Sequence, residues 1–421
     1  MGGLDRGWSY GGVVGSVAAV RRANAAAIEE RVPSLVTPRF AVITLSALFY
    51  FISFAMLLPT LPRYVEEVLD GSSKQVGIVV GAFGISAAIV RPFLGRLGDR
   101  YGRRILLVGG AALTGVSVVL YPVWLSIPVL VLLRIVSGVG ESGAFVGAAT
   151  ATQDLATDDR RGEASSYFSL AVYVGLGVGP FLGEFINDRS DFETVCRVAL
   201  GLSFVSAVLA FATPSRPPEI EGAADLPRSR SFLHRASVLP GILLTLSLVG
   251  FVGYTTFLAL YLDDISGGSA SAGSVFLFYA AIVIVIRLTL ADLPDRLGAR
   301  RGSTFAFAFI AGGLAVVALW PTVLGVYVGT AILACGVAFN YPALFLLVMA
   351  GTEPHERSHS VASFGFFFDI AGALGAPLLG AVIDVTGSER PAFALGSLTA
   401  VIALVGVRRL TRGESPPRVA N

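Results

Sequence analysis

Residues 95–104 read GRLGDRYGRR: Gly95, Arg96, Leu97, Gly98, Asp99, Arg100, Tyr101, Gly102, Arg103 and Arg104. Half of these side chains are charged, yet apolar runs of about 20 residues, the length that crosses a bilayer, flank the cluster on both sides. A related string, ADLPDRLGARR, returns at residues 291–301. Arg287 precedes Asp295 by eight residues, as Arg91 precedes Asp99. Charge gathered between long apolar segments, and repeated once, is the pattern of a helical membrane protein with two similar halves.

Composition agrees. Of 421 residues 54% are hydrophobic and 14% charged, with a mean hydropathy of +0.75. A soluble domain needs more charge to cover its surface. The 49 glycines fall largely inside the apolar runs, where small residues let helices approach closely. The runs do not alternate, which argues against a β-barrel. Cys196 and Cys335 suggest neither a disulfide framework nor a thiolate metal site.

Twelve spans are expected, at roughly 40–61, 76–95, 105–124, 127–149, 164–187, 195–213, 240–262, 273–291, 303–320, 322–349, 359–384 and 391–410. They divide the chain into a tail at 1–38, a six-helix bundle at 39–213, a linker at 214–238, a second bundle at 239–410 and a tail at 411–421. With strict alternation, 23 of the 31 basic residues fall on the side of the two tails and the linker, and 5 on the other (Arg63, Lys74, Arg189, Arg197 and Arg390). The bias predicts a multi-pass protein of the cell membrane with both termini cytoplasmic.

The repeat continues beyond the charged cluster. Gly179-Pro180-Phe-Leu-Gly183 answers Ala376-Pro377-Leu-Leu-Gly380, and Tyr64 answers Tyr261, each at an offset of 197. Two bundles of like orientation follow, related by an axis along the membrane normal.

GRLGDRYGRR resembles the signature that the major facilitator superfamily carries between its second and third helices. The second copy is degraded at its first Gly and at Ala299. Arg134-Ile-Val-Ser-Gly138-Val-Gly140 resembles the fourth-helix motif of that family. Gly175-Leu-Gly-Val-Gly179-Pro180-Phe-Leu-Gly183-Glu184 is similar to its fifth-helix antiporter motif, departing from it at Glu184 and at Ser166. The resemblance spans about residues 40–410 and implies an all-α fold of two pseudo-symmetric six-helix bundles. It further implies a gating role for Gly95, Asp99, Arg100, Gly102, Arg103, Arg104, Asp295 and Arg296. Asp99 would latch the halves on the cytoplasmic face in the outward-open state, with Gly95 and Gly102 permitting a tight loop and close packing.

Ionised groups at mid-bilayer cost roughly 2.5–3.5 kcal/mol on insertion scales, so each should face the interior and find a partner. Arg134 and Glu141 are seven residues apart, on one helix face and about 10 Å apart along the axis. Glu141 is a candidate proton carrier; a buried structural pair is the alternative. Asp369, ending Phe364-Gly-Phe-Phe-Phe-Asp369, is a second candidate, for a proton or an organic cation. Glu184 and Asp188 lie near the outer end of their span, as wet rim charges or an outer gate. Pro342 is expected to interrupt the tenth span and free a backbone carbonyl, with Asn340 and Tyr341 offering hydrogen bonds to a ligand or to that carbonyl. Pro59 and Pro62 suggest a hinge. Tyr50, Phe54, Tyr173, Tyr254 and Phe257 either line the cavity or simply pack.

No Gly-rich phosphate loop is present, and His234, His355 and His359 lack metal-ligand spacing. Neither an enzyme, a cofactor, a resident metal, a nucleic-acid partner nor an oligomer is indicated. The expected function is secondary active transport, by proton-coupled export of a small lipophilic or cationic compound. Proton-coupled uptake of a sugar, carboxylate or other metabolite is the alternative; a transport-silent membrane sensor is an alternative of another class. The expected partners are the lipid bilayer, a small-molecule substrate and protons or another coupling ion.

Overall fold

The computed structural model describes residues 35–157, 160–215, 233–290, 293–352 and 356–410; inside its helices, the side chains of residues 99, 161, 162, 294, 295, 357–359, 362, 409 and 410 are outside the described set. The described residues form twelve long helical segments and no strand. These are α1 (Pro38–Val68), α2 (Ser73–Tyr101), α3 (Arg103–Val119), α4 (Ile127–Asp154), α5 (Arg161–Asn187) and α6 (Phe192–Ala210) in the first half. The second half holds α7 (Arg235–Ser266), α8 (Ala272–Thr289), α9 (Leu293–Leu319), α10 (Val323–Ala350), α11 (Arg357–Thr386) and α12 (Glu389–Leu410). Eleven helices have the length and apolar composition to cross a membrane; α3, at 17 residues, is the short one. Because the helices alternate in direction, the connections gather at two ends. We call the end nearest both termini the tail face and the opposite end the far face.

Helices span a membrane because they satisfy their own backbone hydrogen bonds, and the segment starts show how each begins. Ser72 opens α2 with a capping box closed by Gln75, while Thr37, Asp191, Ser271 and Thr322 cap α1, α6, α8 and α10. Asp191 lies outside the spans, and its bond from the Thr194 N–H holds its carboxyl below the usual range. Prolines have unequal effects. α1 breaks at Met56, three residues before Pro59, and ends in a π-helical turn over Tyr64–Val68. α10, by contrast, runs unbroken through Pro342, so the expected interruption at Asn340-Tyr341-Pro342 does not occur.

The charged signature also sits differently from expectation. α2 continues to Tyr101, placing Gly95 to Arg100 on its last turns rather than in a loop. Only Gly102 makes the turn, at φ 92°, a value side chains rarely adopt, and Gly298 repeats it at φ 70° in the second copy. A Cβ at Gly95 would meet nothing within 4 Å, so close packing there is not seen.

Small residues set the helix spacing. On α5, a Cβ at Gly175 would fall 2.5 Å from the Phe51 Cβ, at Gly179 2.6 Å from the Ile52 carbonyl oxygen, and at Gly183 2.3 Å from that of Met56. The Gly175–Gly183 segment is thus the surface on which α1 rests. Hydroxyls tie α1 to α6 as well: Ser46 donates to the Ser206 carbonyl and Ser53 to that of Ala199. The halves meet mainly along α2 with α11 and α5 with α8.

Gly183→Val forces α1 and α5 apart and should destabilise the protein by about 1–3 kcal/mol. Gly109→Ala, at a position in mid-helix with open space, should not lower the melting temperature of the nanodisc-embedded protein.

Candidate functional site

Two charge clusters join the halves. The first centres on Arg91 of α2, a residue not singled out as a site from the sequence. Its Nη2 donates to Asp369 Oδ1 of α11 at 2.9 Å and to Glu141 Oε2 of α4 at 3.3 Å. Its Nε lies 2.6 Å from Asp369 Oδ2, but neither atom has a hydrogen bond of acceptable geometry, so that contact is charge attraction only. The guanidinium also stands over Phe145, 4.9 Å from the ring centre. Asp369 is 6% exposed and Glu141 8%. One cation thus bridges two buried carboxylates, from opposite halves.

Arg134 is not part of this cluster. It donates from Nε to the Val79 carbonyl at 3.3 Å and lies 4.4 Å from the Phe83 ring centre. The seven-residue spacing did place Arg134 and Glu141 on one buried face, yet no ion pair joins them among the described residues. Neighbouring helices offered each a nearer partner.

The second cluster closes the far face. Arg63, at the end of α1, makes a bidentate pair with Asp263 of α7, Nε to Oδ2 at 2.6 Å and Nη2 to Oδ1 at 2.8 Å. Its Nη1 donates to Glu184 Oε1 at 2.9 Å. Glu184 also accepts the N–H groups of Ala272 at 3.1 Å and Gly273 at 2.7 Å, together with the Ser271 hydroxyl. A carboxylate from α5 therefore sits on the N-terminus of α8, where the helix dipole favours it. At 4% exposure Glu184 is buried, not the wet rim charge that was one expectation; Asp188, outside the span, has its carboxyl raised by burial and by Glu184.

The other interface repeats the arrangement. Asp384 of α11 accepts from the Ser72 hydroxyl at 2.7 Å and the Lys74 N–H at 3.0 Å, capping the start of α2. So α5 caps α8 and α11 caps α2. Below Asp384, Gly77, Gly81 and Gly84 bring α2 close onto residues 372–377 of α11.

Toward the tail face a cavity opens between α5, α8 and α10, lined by Ser169, Tyr173, Arg287, Ala338 and Phe339 among others. Arg287 Nη2 donates to the Tyr173 hydroxyl at 3.1 Å, and the guanidinium lies 4.8 Å from that ring. Of the five aromatics considered from the sequence, Tyr173 alone lines this cavity. Tyr50 and Tyr254 bond Thr114 and Thr330, Phe54 stacks on Phe83, and Phe257 is core.

The other expected residues are dispersed. Asn340 is buried and donates to Ser247 of α7 at 2.9 Å, leaving its Oδ1 unpaired. In the signature, Arg103 pairs with Asp154 at 3.1 Å and Arg104 donates to the Thr213 carbonyl at 2.7 Å, both inside the first half. Arg100 lies over the ring of its neighbour Tyr101, 5.2 Å from its centre, and Arg296 is exposed. The side chains of Asp99 and Asp295 lie outside the described set, as do His355 and the side chain of His359. His234 caps α7 and meets Glu356 at 3.0 Å.

An all-helical fold of membrane-length helices, with charged bridges across two packed halves, is the architecture of a polytopic membrane protein. The sequence profile described as Major Facilitator Superfamily matches residues 43–376, and the chain belongs to that family. It is 26% identical over 370 residues to the MFS-type transporter STM4428 of Salmonella typhimurium, covering 86% of this chain and 94% of that one. It is 25% identical over 363 residues to Multidrug resistance protein 2 of Bacillus subtilis, covering 81% and 88%. Among solved structures, a point mutant of the nucleoside transporter NupG superposes with a TM-score of 0.72 at 14% identity, over 88% of this chain and 99% of that one. The chain is thus a multi-pass membrane transporter.

Arg63 and Asp263 should couple energetically. In a double-mutant cycle of Arg63→Ala and Asp263→Ala, thermal unfolding should give an interaction energy of about 0.5–3 kcal/mol, whereas pairing either variant with the distant Arg197→Ala should give additivity.

Proposed function

We propose that the chain exports a small lipophilic or cationic compound in exchange for protons, by alternating access of the two bundles at 39–213 and 239–410. The observation that carries this reading is the Arg91 bridge. Asp369 from one half and Glu141 from the other share a single guanidinium, so the charge on either carboxylate is linked to the contact between halves. Protonating Asp369 removes its attraction to Arg91 and leaves Arg91 to Glu141 alone. A proton and the Arg91 contact therefore compete for one carboxylate, which is the elementary requirement for coupling an ion gradient to rearrangement.

The charge asymmetry of the loops supports an orientation with both termini in the cytoplasm of a cell-membrane protein. On that orientation the described state is closed outward, by the Glu184 and Asp384 caps, and its cavity lies toward the cytoplasm. Asp99, with Gly102 at the turn, serves the opposite state as the cytoplasmic latch that the family resemblance implies. Similarity to a multidrug resistance protein along most of both chains supports export of a lipophilic compound over uptake.

Inverted membrane vesicles carrying a pH-sensitive dye test this. Lipophilic compounds added to wild-type vesicles should dissipate an inside-acid gradient. Asp369→Asn and Glu141→Gln, at equal abundance in the membrane, should each slow the dissipation at least tenfold. Equal rates in all three proteins would remove both carboxylates from the coupling path.

A further inference from the structure

The repeat that produced two signatures also produced two half-buried arginines with different company. Arg91 of α2 and Arg287 of α8 are equivalent, at an offset of 196. Each sits at an interface between halves, Arg91 facing α11 and Arg287 facing α5. Asp369, the partner of Arg91, has Tyr173 as its counterpart at the same offset, within one residue of the register that relates Pro180 to Pro377. Tyr173 is indeed what Arg287 touches. Glu141, the other partner, has Val337 and Ala338 as counterparts, and Ala338 lines the Arg287 cavity.

The second copy has therefore kept the guanidinium and lost both carboxylates. Among the described residues no carboxylate lies within ion-pairing distance of Arg287, and its Nε is buried with no hydrogen-bond partner. A phenol hydroxyl and a ring face solvate the cation without neutralising it. What the first copy fills with acidic side chains, the second leaves as a cavity with an unspent donor. The cavity walls, Leu170, Ile284, Ile286 and Phe339 among them, are apolar.

We propose that the Arg287 cavity is an anion subsite for a lipophilic organic acid, whose carboxylate takes the place at Arg287 that Asp369 and Glu141 take at Arg91. The acid group accepts from Arg287, and the Ser169 and Tyr173 hydroxyls line the same space. The apolar body lies along α5, α8 and α10. This rests on the transport reading above but not on its proton coupling, and it narrows the substrate to compounds bearing a negative group.

Three probes of one shape decide it: 2-naphthoate, 2-naphthylmethylammonium and 2-naphthalenemethanol, bound to the full chain in phosphatidylcholine nanodiscs by equilibrium dialysis against empty discs. Wild type should bind naphthoate at least tenfold more tightly than the cation or the alcohol. Arg287→Gln should abolish the preference, and Ala338→Glu should weaken it by restoring an internal carboxylate. Failure of wild type to prefer the anion overturns the proposal without any variant. A tenfold preference that survives in Arg287→Gln overturns it as well. An intact anion preference without proton movement in vesicles would sink proton exchange and leave the subsite standing.

Discussion

A guanidinium cannot be left bare in a hydrocarbon interior, and this protein is organised around how four of them are accommodated. Arg63 takes two carboxylates and Arg91 takes two, in each case from both halves of the chain. Arg134 takes a backbone carbonyl and an aromatic face within its own half. Among the described residues, Arg287 has only Tyr173. Removing one partner from a buried pair strands the other charge and typically costs about 3–5 kcal/mol. In the bridging arrangements a second carboxylate stays with the arginine when one leaves, so a contact between halves can break without stranding the cation.

Around those charges the packing is tight where the halves meet at the far face and looser toward the tail face. Glycines on α2 and α5 bring helices together at backbone distance. At each interface an acidic residue from the end of one half's helix caps the start of a helix in the other. Capping uses N–H groups that a helix start leaves free, so closure satisfies donors that opening would return to water. On the proposed reading, a far face held by such contacts and a cavity on the opposite side are two aspects of one state of a two-state carrier.

Much of this was legible in the chain. Apolar runs gave twelve helices, and GRLGDRYGRR with its second copy pointed to the family and to the repeat. Glu141, Asp369 and Glu184 stood out because carboxylates inside spans are rare. Their partners were harder to find. Arg91 and Arg63 lay at span ends, where an arginine reads as a topology anchor, and the link from Arg91 to Asp369 crosses 278 residues. Spacing along one helix misled for Arg134, since neighbouring helices decide which face-sharing residues actually meet. Proline was equally ambiguous: the α1 prolines sit beside a break, whereas Pro342 lies in an unbroken helix. The eight-residue interval from Arg91 to Asp99, repeated from Arg287 to Asp295, was the signal that could have marked both arginines.

The central claim is that the described state is one of two, closed at the far face by carboxylates on helix starts. Spin-label distances measure this directly, in protein with Cys196 and Cys335 replaced by alanine. Labels at Ser190→Cys and Ser269→Cys report the far face across α5 and α8, and labels at Thr157→Cys and Leu290→Cys report the tail face. Introducing Glu184→Ala should add a longer far-face distance and a shorter tail-face distance in matching proportion. If both distributions stay as they are in the unsubstituted background, the far-face contacts do not govern a two-state equilibrium and the account is wrong.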